Sequence, residues 1–264
     1  MEINKIYNTD IFEGFKLIDD NSINVIITSP PYNVGIKYDS WTDKIPFKDY
    51  FEWCKNWLIE CRRVLKDDGR IAINIPFEIS NNHDKNWDLR VFIAAEFHAI
   101  LKEVCLHGAG VVRLVENYPH IVNKTAWGSW LSVSAPYIYN PEECALLAYK
   151  NQWKRLNNGL STMTKQEFIQ NVTSRWLYRA ETKGLTQANF SLDFPLIAIK
   201  MLSYQNDIIL DPFMGSGTTG LACLMTKRNY LGFEISKQYH KIAEVRIQNY
   251  IDRHNNALKD LIEY

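Results

Sequence analysis

Asp207-Ile208-Ile209-Leu210-Asp211-Pro212-Phe213-Met214-Gly215-Ser216-Gly217-Thr218-Thr219-Gly220 is the stretch whose reading decides the fold. An apolar run ends on an acid, a proline stops it, and three glycines turn the chain into the small-residue, helix-compatible segment Thr218 to Thr226. A second apolar run, Tyr230 to Glu234, again ends on an acid. Asp207 to Glu234 therefore predicts one βαβ unit. Working outward, Ile23 to Thr28 reads as a β-branched strand halted by a Pro-Pro pair. Tyr50 to Leu65 reads as a helix, Lys66-Asp67-Asp68-Gly69 as a turn and Arg70 to Ile75 as a further strand. Alternating strands and helices predict an α/β fold, a mainly parallel sheet with helices on both faces. Only 44 residues follow Gly220, too few to finish such a sheet, so the first half of the chain must supply the remaining strands. Residues 78 to 126 show no clear period.

Glycines at a strand-to-helix turn let backbone approach a ligand, and the helix start offers free N–H groups. Gly215, Gly217 and Gly220 satisfy G-x-G-x-x-G, which alone is weak support for a dinucleotide; no lysine follows, which excludes a P-loop. Asp211 beside a pyrophosphate would repel it. S-adenosylmethionine suits the acid better, having a sulfonium, an amino group and two ribose hydroxyls that Glu234, 17 residues beyond Gly217, can accept from. Asp211, Pro212, Phe213, Gly215, Ser216, Gly217, Thr218, Thr219 and Glu234 are the expected cofactor residues; a turn serving only tight packing is the plain alternative.

Thr28-Ser29-Pro30-Pro31-Tyr32-Asn33 leaves the first strand through two prolines. They fix the backbone so that a carbonyl can be aimed outward, with the Ser29 hydroxyl beside it. Such a rigid acceptor can hold the hydrogens of an amino group whose lone pair faces an electrophilic methyl. Tyr32 offers a flat face to a base taken out of its stack. An isolated Pro-Pro is more often a strand-capping turn; together with the glycine loop it reads as a catalytic corner.

With 264 residues, 46% of them hydrophobic, the chain can bury one substantial core. Thirty basic and thirty acidic residues balance, so total charge neither points to a polyanion nor excludes one. The five cysteines, Cys54, Cys61, Cys105, Cys144 and Cys223, form no Cys-x-x-Cys pair. They read as thiols in a reducing compartment, with no metal site expected. A charged start and the lack of any run near 20 apolar residues fit a cytoplasmic protein.

Ser-Pro-Pro-Tyr at 29 to 32 and Asp-Pro-Phe-Met-Gly-Ser-Gly-Thr-Thr at 211 to 219 together resemble the amino-methylating DNA methyltransferases of restriction-modification systems. With the corner ahead of the cofactor loop, the order is similar to the beta class, a circularly permuted Rossmann-like methyltransferase fold with a small target-recognition lobe. The resemblance implies residues 1–149 as the catalytic half and 187–264 as the cofactor half; it does not extend to the basic segment between them, and 150–186 is the candidate recognition segment on its charge instead. It implies Asp10 near the cofactor's adenine, Thr28 at the cofactor, and Phe190 in the segment leading into the cofactor strand, where the family's His-Pro is missing. Thr125 to Trp130 also resembles a run common in the class, although its aromatics could equally be core. The serine form of the corner is associated with N4 of cytosine, the Asp or Asn form with N6 of adenine; a serine can accept from either amine. Implied partners are double-stranded DNA, with a cognate restriction endonuclease and a homodimer both compatible.

The mechanism expected is direct transfer, the amine attacking the methyl while the Pro30 carbonyl and Ser29 draw density onto nitrogen. No Pro-Cys pair of a carbon-5 mechanism is present. Lys150 to Lys183 holds seven bases against two acids, with Trp153, Trp176 and Tyr178 interleaved. Lys154, Arg155, Arg175 and Arg179 are its candidate DNA contacts, against the alternative of a solvated charged face. RNA or protein-glutamine methylation, nicotinamide binding and non-catalytic DNA binding are the competing classes. The first usually places the loop before the corner, and the last needs neither feature.

Overall fold

The computed structural model describes residues 1–36, 43–80, 90–116, 142–179 and 191–262. In chain order the elements are β1 (Lys5–Asn8), α1 (Ile11–Lys16), β2 (Ile23–Thr28), α2 (Phe47–Val64), β3 (Leu65–Pro76), β4 (Ile79–Ser80) and β5 (Arg90–Val91). Then come α3 (Ile93–Glu103), β6 (His107–Glu116), β7 (Glu143–Tyr149), α4 (Lys165–Asn171), β8 (Arg175–Tyr178) and α5 (Asp193–Leu202). The chain closes with β9 (Ile208–Asp211), α6 (Thr218–Met225), β10 (Asn229–Glu234) and α7 (Lys237–Ile262).

Eight strands form one sheet in the order β1-β10-β9-β2-β3-β7-β6-β8, with β4 and β5 as a separate ribbon. Every pairing in the large sheet is parallel except those of β7, which runs against both β3 and β6. The expected mainly parallel α/β sheet is the one observed. Consecutive strand residues serve opposite faces. Ile26 joins a core with Phe15, Trp57 and Phe97 of α1, α2 and α3, while Val25 and Ile27 join one with Phe194, Ala222 and Ile247 of α5, α6 and α7. Burial on both faces explains why β2 reads as an unbroken apolar run rather than an alternating one.

One local expectation is corrected. Lys66 to Gly69 is no turn before a strand but part of β3 itself. Ile23 pairs with Leu65 and Val25 with Arg70, so three extra residues bulge from β3. Carbonyls of Asp67 and Gly69 in that bulge accept from Asn151, Gln152 and Lys150. The described part of the expected recognition segment 150–186 contributes a strand to the main sheet. β8 is the edge strand of the main sheet and Trp176 is a core residue, 1% exposed.

β9 leads to α6 on one face and its neighbour β2 leads to α2 on the other, so the sheet reverses its winding between them. Crevices in open α/β sheets form at the carboxyl ends of strands at such a point. Thr28, Asp211, Glu234 and Asp10 all end or follow strands on that edge, joined by the entrance of the reversed β7 at Glu143. No helix among the described residues is long and apolar enough to cross a membrane.

Candidate active site

The glycine loop is built from inside. The Asp211 carboxylate is fully buried and takes hydrogen bonds from Thr28 Oγ1 (2.7 Å), Thr219 Oγ1 (2.6 Å) and the Phe213 N–H (3.0 Å). Burial pushes its pKa up to about 6, against the pull of these three donors. Gly215 and Gly217 have φ of 53° and 81°, a left-handed backbone that a side chain strains. A Cβ on Gly217 would also lie 3.0 Å from the Ala243 Cβ of α7. Glu234 closes the loop, one carboxylate oxygen accepting from the Gly215 N–H and the other from that of Ser236, each at 2.8 Å. Arg246 of α7 donates to the Ser216 carbonyl, the Ser216 hydroxyl and the Thr218 hydroxyl (2.8 Å), holding the first turn of α6.

This geometry corrects part of the expected cofactor set. Asp211, Thr28 and Thr219 face one another in the interior and shape the loop rather than line it; each is 0% exposed. Pro212 is buried, and Phe213 packs on Trp53 and Trp57 of α2 with ring centroids 5.6 and 5.5 Å apart. Gly215 and Glu234 keep partial exposure at the crevice. Asp10 caps α1 through the Phe12 N–H, one strand over from Glu234, since Asn8 pairs with Glu234. Phe190 and the Thr125 to Trp130 run lie outside the described residues.

At the corner, Tyr50 of α2 donates to the Pro31 carbonyl (2.8 Å), while no described donor reaches the Pro30 carbonyl. The chain beyond is strapped down by Asp43, whose two carboxylate oxygens accept from the backbone N–H groups of Asn33, Val34, Gly35 and Ile36. Asn33 adds two bonds to the backbone of Ile45. The prolines are thus braced on both sides. Ser29 Oγ lies 2.8 Å from the Tyr32 hydroxyl. Asn74, at the end of β3, gives one amide nitrogen to both the Tyr32 hydroxyl (3.0 Å) and Glu143 (2.7 Å).

Sequence reasoning missed Asn74, Glu143, Asp43, Arg246 and Tyr50. Two signals were available. Asn74 interrupts an otherwise apolar strand, and β7 enters the sheet on an acid ahead of Cys-Ala-Leu-Leu-Ala-Tyr.

Of the candidate DNA contacts, Lys154, Arg175 and Arg179 are exposed. Arg155 is not one of them in kind. Its side chain is 8% exposed and pairs with Asp68 (3.0 Å) and Asp207 (2.9 Å), tying the β3 bulge to the start of β9. Lys150 is likewise buried, its ammonium on Asn21 (2.6 Å) and the Leu65 carbonyl (2.8 Å).

Residues 23–245, which span the corner, the loop and the strands between them, match the family described as DNA methylase, the N6 and N4 methyltransferases. The chain belongs to this family. It is 38% identical over 188 residues to the type II methyltransferase M.MjaVI of Methanocaldococcus jannaschii, covering 68% of this chain and 92% of that one. It is 25% identical over 275 residues to M.BglII of Bacillus subtilis, covering 99% and 74%. Among solved structures, TTHA0409 of Thermus thermophilus in complex with S-adenosyl-L-methionine superposes with a TM-score of 0.75 at 20% identity, over 93% of each chain. This DNA methylase is thus an amino-methylating, S-adenosylmethionine-dependent enzyme with the Rossmann-like fold of its class.

The donor set fits that cofactor. Glu234 and Asp10 bring acceptor oxygens to neighbouring strand ends, matched to hydroxyls, an ammonium and a sulfonium. The cation nearest the loop, Arg246, is committed to Ser216 and Thr218 rather than offered to a pyrophosphate.

Proposed function

We propose that this methylase acts on N4 of cytosine in duplex DNA, at a base turned out of the stack, within a specific sequence. One observation carries the reading: the Ser29 hydroxyl and the unengaged Pro30 carbonyl stand on the strand next to the glycine loop, and the Thr28–Asp211 hydrogen bond couples the two. A target amine can then be held by two acceptors while its lone pair faces the cofactor pocket.

Gly215, Glu234 and Asp10 would hold S-adenosylmethionine, with Phe190 in the same half of the chain as Gly215 and Glu234. Bound there, the cofactor supplies an electrophilic methyl group. Ser29 and the Pro30 carbonyl orient the amine, and Pro31, bonded to Tyr50, keeps that carbonyl's direction fixed. Tyr32 gives the displaced base a ring to stack on, offsetting part of the few kcal/mol lost on leaving the duplex. Arg175 and Arg179, on and just beyond the outer strand β8, and Lys154, in the segment that follows β7, would meet phosphates. Residues 150–186 would then act as the recognition segment between the halves 1–149 and 187–264. A cognate endonuclease reading the same sequence is the partner such an enzyme implies.

N6 of adenine is the second reading, favoured by the chemical likeness of the two amines and by the ability of Ser29 to accept from either. Incubation with labelled cofactor and genomic DNA, followed by digestion and mass identification of the nucleoside, separates the two. N4-methylcytosine is expected; N6-methyladenine selects the alternative.

A further inference from the structure

Four side chains at the corner form one hydrogen-bonded chain whose far end is a carboxylate. Glu143 stands where the reversed β7 enters the sheet, across from Pro76 and two residues out of step with Asn74 on β3. The Tyr32 hydroxyl and its carboxylate are brought together by the Asn74 amide nitrogen, which donates to both (3.0 and 2.7 Å), so that the two side chains interact, and Tyr32 contacts Ser29 Oγ at 2.8 Å. A phenol has one proton and two lone pairs, and a carboxylate only accepts. With Glu143 ionised, the Tyr32 proton must go to Glu143. Asn74 nitrogen fills one lone pair, and the other takes the Ser29 proton. Ser29 is left with its own lone pairs free to accept from an amine. Protonated Glu143 removes this bias, since Tyr32 can then donate to Ser29, whose proton would turn toward the amine lone pair.

We propose that Glu143 sets the polarity of the Ser29–Tyr32 chain and is the terminal acceptor of the proton released by the methylated amine. This rests on the reading of the corner as the amine-binding site. In the transfer the N–C bond forms as the cofactor's S–C bond breaks, the electron pair staying on sulfur. Nitrogen, now carrying one hydrogen too many, passes a proton to Ser29 Oγ. Ser29 passes its own to Tyr32, and Tyr32 its own to the Glu143 carboxylate, which ends neutral. The serine in this corner is too weak a base to keep that proton; a carboxylate two hydrogen bonds away need not be in contact with the substrate to take it.

The surroundings of Glu143 suit the task. Burial holds its carboxyl above the ordinary carboxylate range, while Asn74 and Tyr32 oppose the shift. From β3 it meets the uncharged Asn74 and Pro76, from β6 Leu114, and from the corner Tyr32. The nearby cation of β6, Arg113, is in register with Cys144 and lies over the Phe77 ring, 6.0 Å from its centroid. Glu142, just ahead of β7, and Cys144 on it are its titratable neighbours in sequence.

The test compares wild type with Glu143→Gln, which keeps shape but cannot take the proton. Turnover of genomic DNA at saturating S-adenosylmethionine is followed from about pH 5 to 9, with cofactor affinity by calorimetry and the protonated-carboxyl infrared band in the cofactor-free protein. Expected for Glu143→Gln are a kcat lower by about 100-fold, loss of the acidic limb of the pH profile, loss of the Glu143 component of the infrared band while that of buried Asp211 remains, and unchanged cofactor affinity. An acidic limb that survives in Glu143→Gln overturns the proposal, whatever the rate. Should this variant fail to bind cofactor and prove misfolded, Tyr32→Phe breaks the same chain without touching β7. It is expected to slow kcat comparably, and wild-type kcat in Tyr32→Phe overturns the relay. A wild type that binds S-adenosylmethionine but methylates no DNA amine overturns the reading of the corner, and the relay with it.

Discussion

Thr28 donates to Asp211 across 2.7 Å of interior, joining the last residue before the proline corner to the first of the glycine loop, 183 positions later in the chain. The two functional halves of the sheet are thus coupled by one charge-assisted hydrogen bond between β2 and β9. Thr28→Val keeps the shape and removes the donor. The buried carboxylate retains Thr219 and Phe213, so the loss is partial: about 1.5–3 kcal/mol of stability, a melting temperature lower by roughly 5 °C. Cofactor affinity, measured by calorimetry, is expected to fall as well, because the loop loses one of its inner anchors. A thermal scan matching wild type would show that the bond contributes nothing.

Asp211 also makes stability depend on pH. Its folded pKa of about 6 lies above the ordinary aspartate value of 3.8, so the folded state holds this proton more tightly than the unfolded chain does. The contribution of Asp211 is therefore complete below about pH 4 and is lost as pH rises through about 6. Asp211→Asn removes that titration. Urea midpoints taken across this window are expected to decline less with rising pH in the variant than in wild type; parallel curves would rule the assignment out.

Tyr32 and the glycine loop perform separate tasks, which mutation should separate. Tyr32→Ala removes the ring beside the target base and the middle of the corner's hydrogen-bond chain, but touches neither Gly215 nor Glu234. DNA turnover is expected to fall by at least about 100-fold with cofactor affinity near normal. Gly217→Ala is expected to show the reverse emphasis. The residue's φ of 81° and the Ala243 contact at 3.0 Å both oppose a side chain, so calorimetric cofactor affinity should fail first.

What could be read from the sequence was local. The run Asp207 to Glu234 carries its own strand, turn, helix and strand in order, and the Pro-Pro pair fixes its corner without help from distant residues. What escaped reading depends on register between far segments. Asn74 and Glu143 meet only because β3 pairs with β7 across 69 positions of sequence. Asp211 was visible as an acid beside glycines, but its inward direction is set by Thr28 on another strand. Arg246 reaches the loop from a helix 28 residues beyond Thr218. Charge in a window was a poorer guide still. Lys150 and Arg155 belong to the basic stretch in sequence and to the interior in space.

That contrast separates two kinds of arginine by experiment. Arg175 and Arg179 are exposed, so if they meet phosphate, alanine at either weakens binding on any duplex. The slope of log affinity against log salt should then fall by about 0.9 for each phosphate no longer neutralised, with thermal stability unchanged. Arg155 has its guanidinium between Asp68 and Asp207, both nearly buried. Alanine there strands two carboxylates, and breaking such a pair costs about 3–5 kcal/mol. Arg155→Ala is therefore expected to lower the melting temperature sharply and leave the salt slope of the surviving folded fraction as in wild type. Fluorescence anisotropy on a labelled duplex at several salt concentrations, run beside thermal scans of the three variants, measures both quantities. A reduced slope in Arg155→Ala with stability intact would return that residue to the DNA surface and remove it from the scaffold.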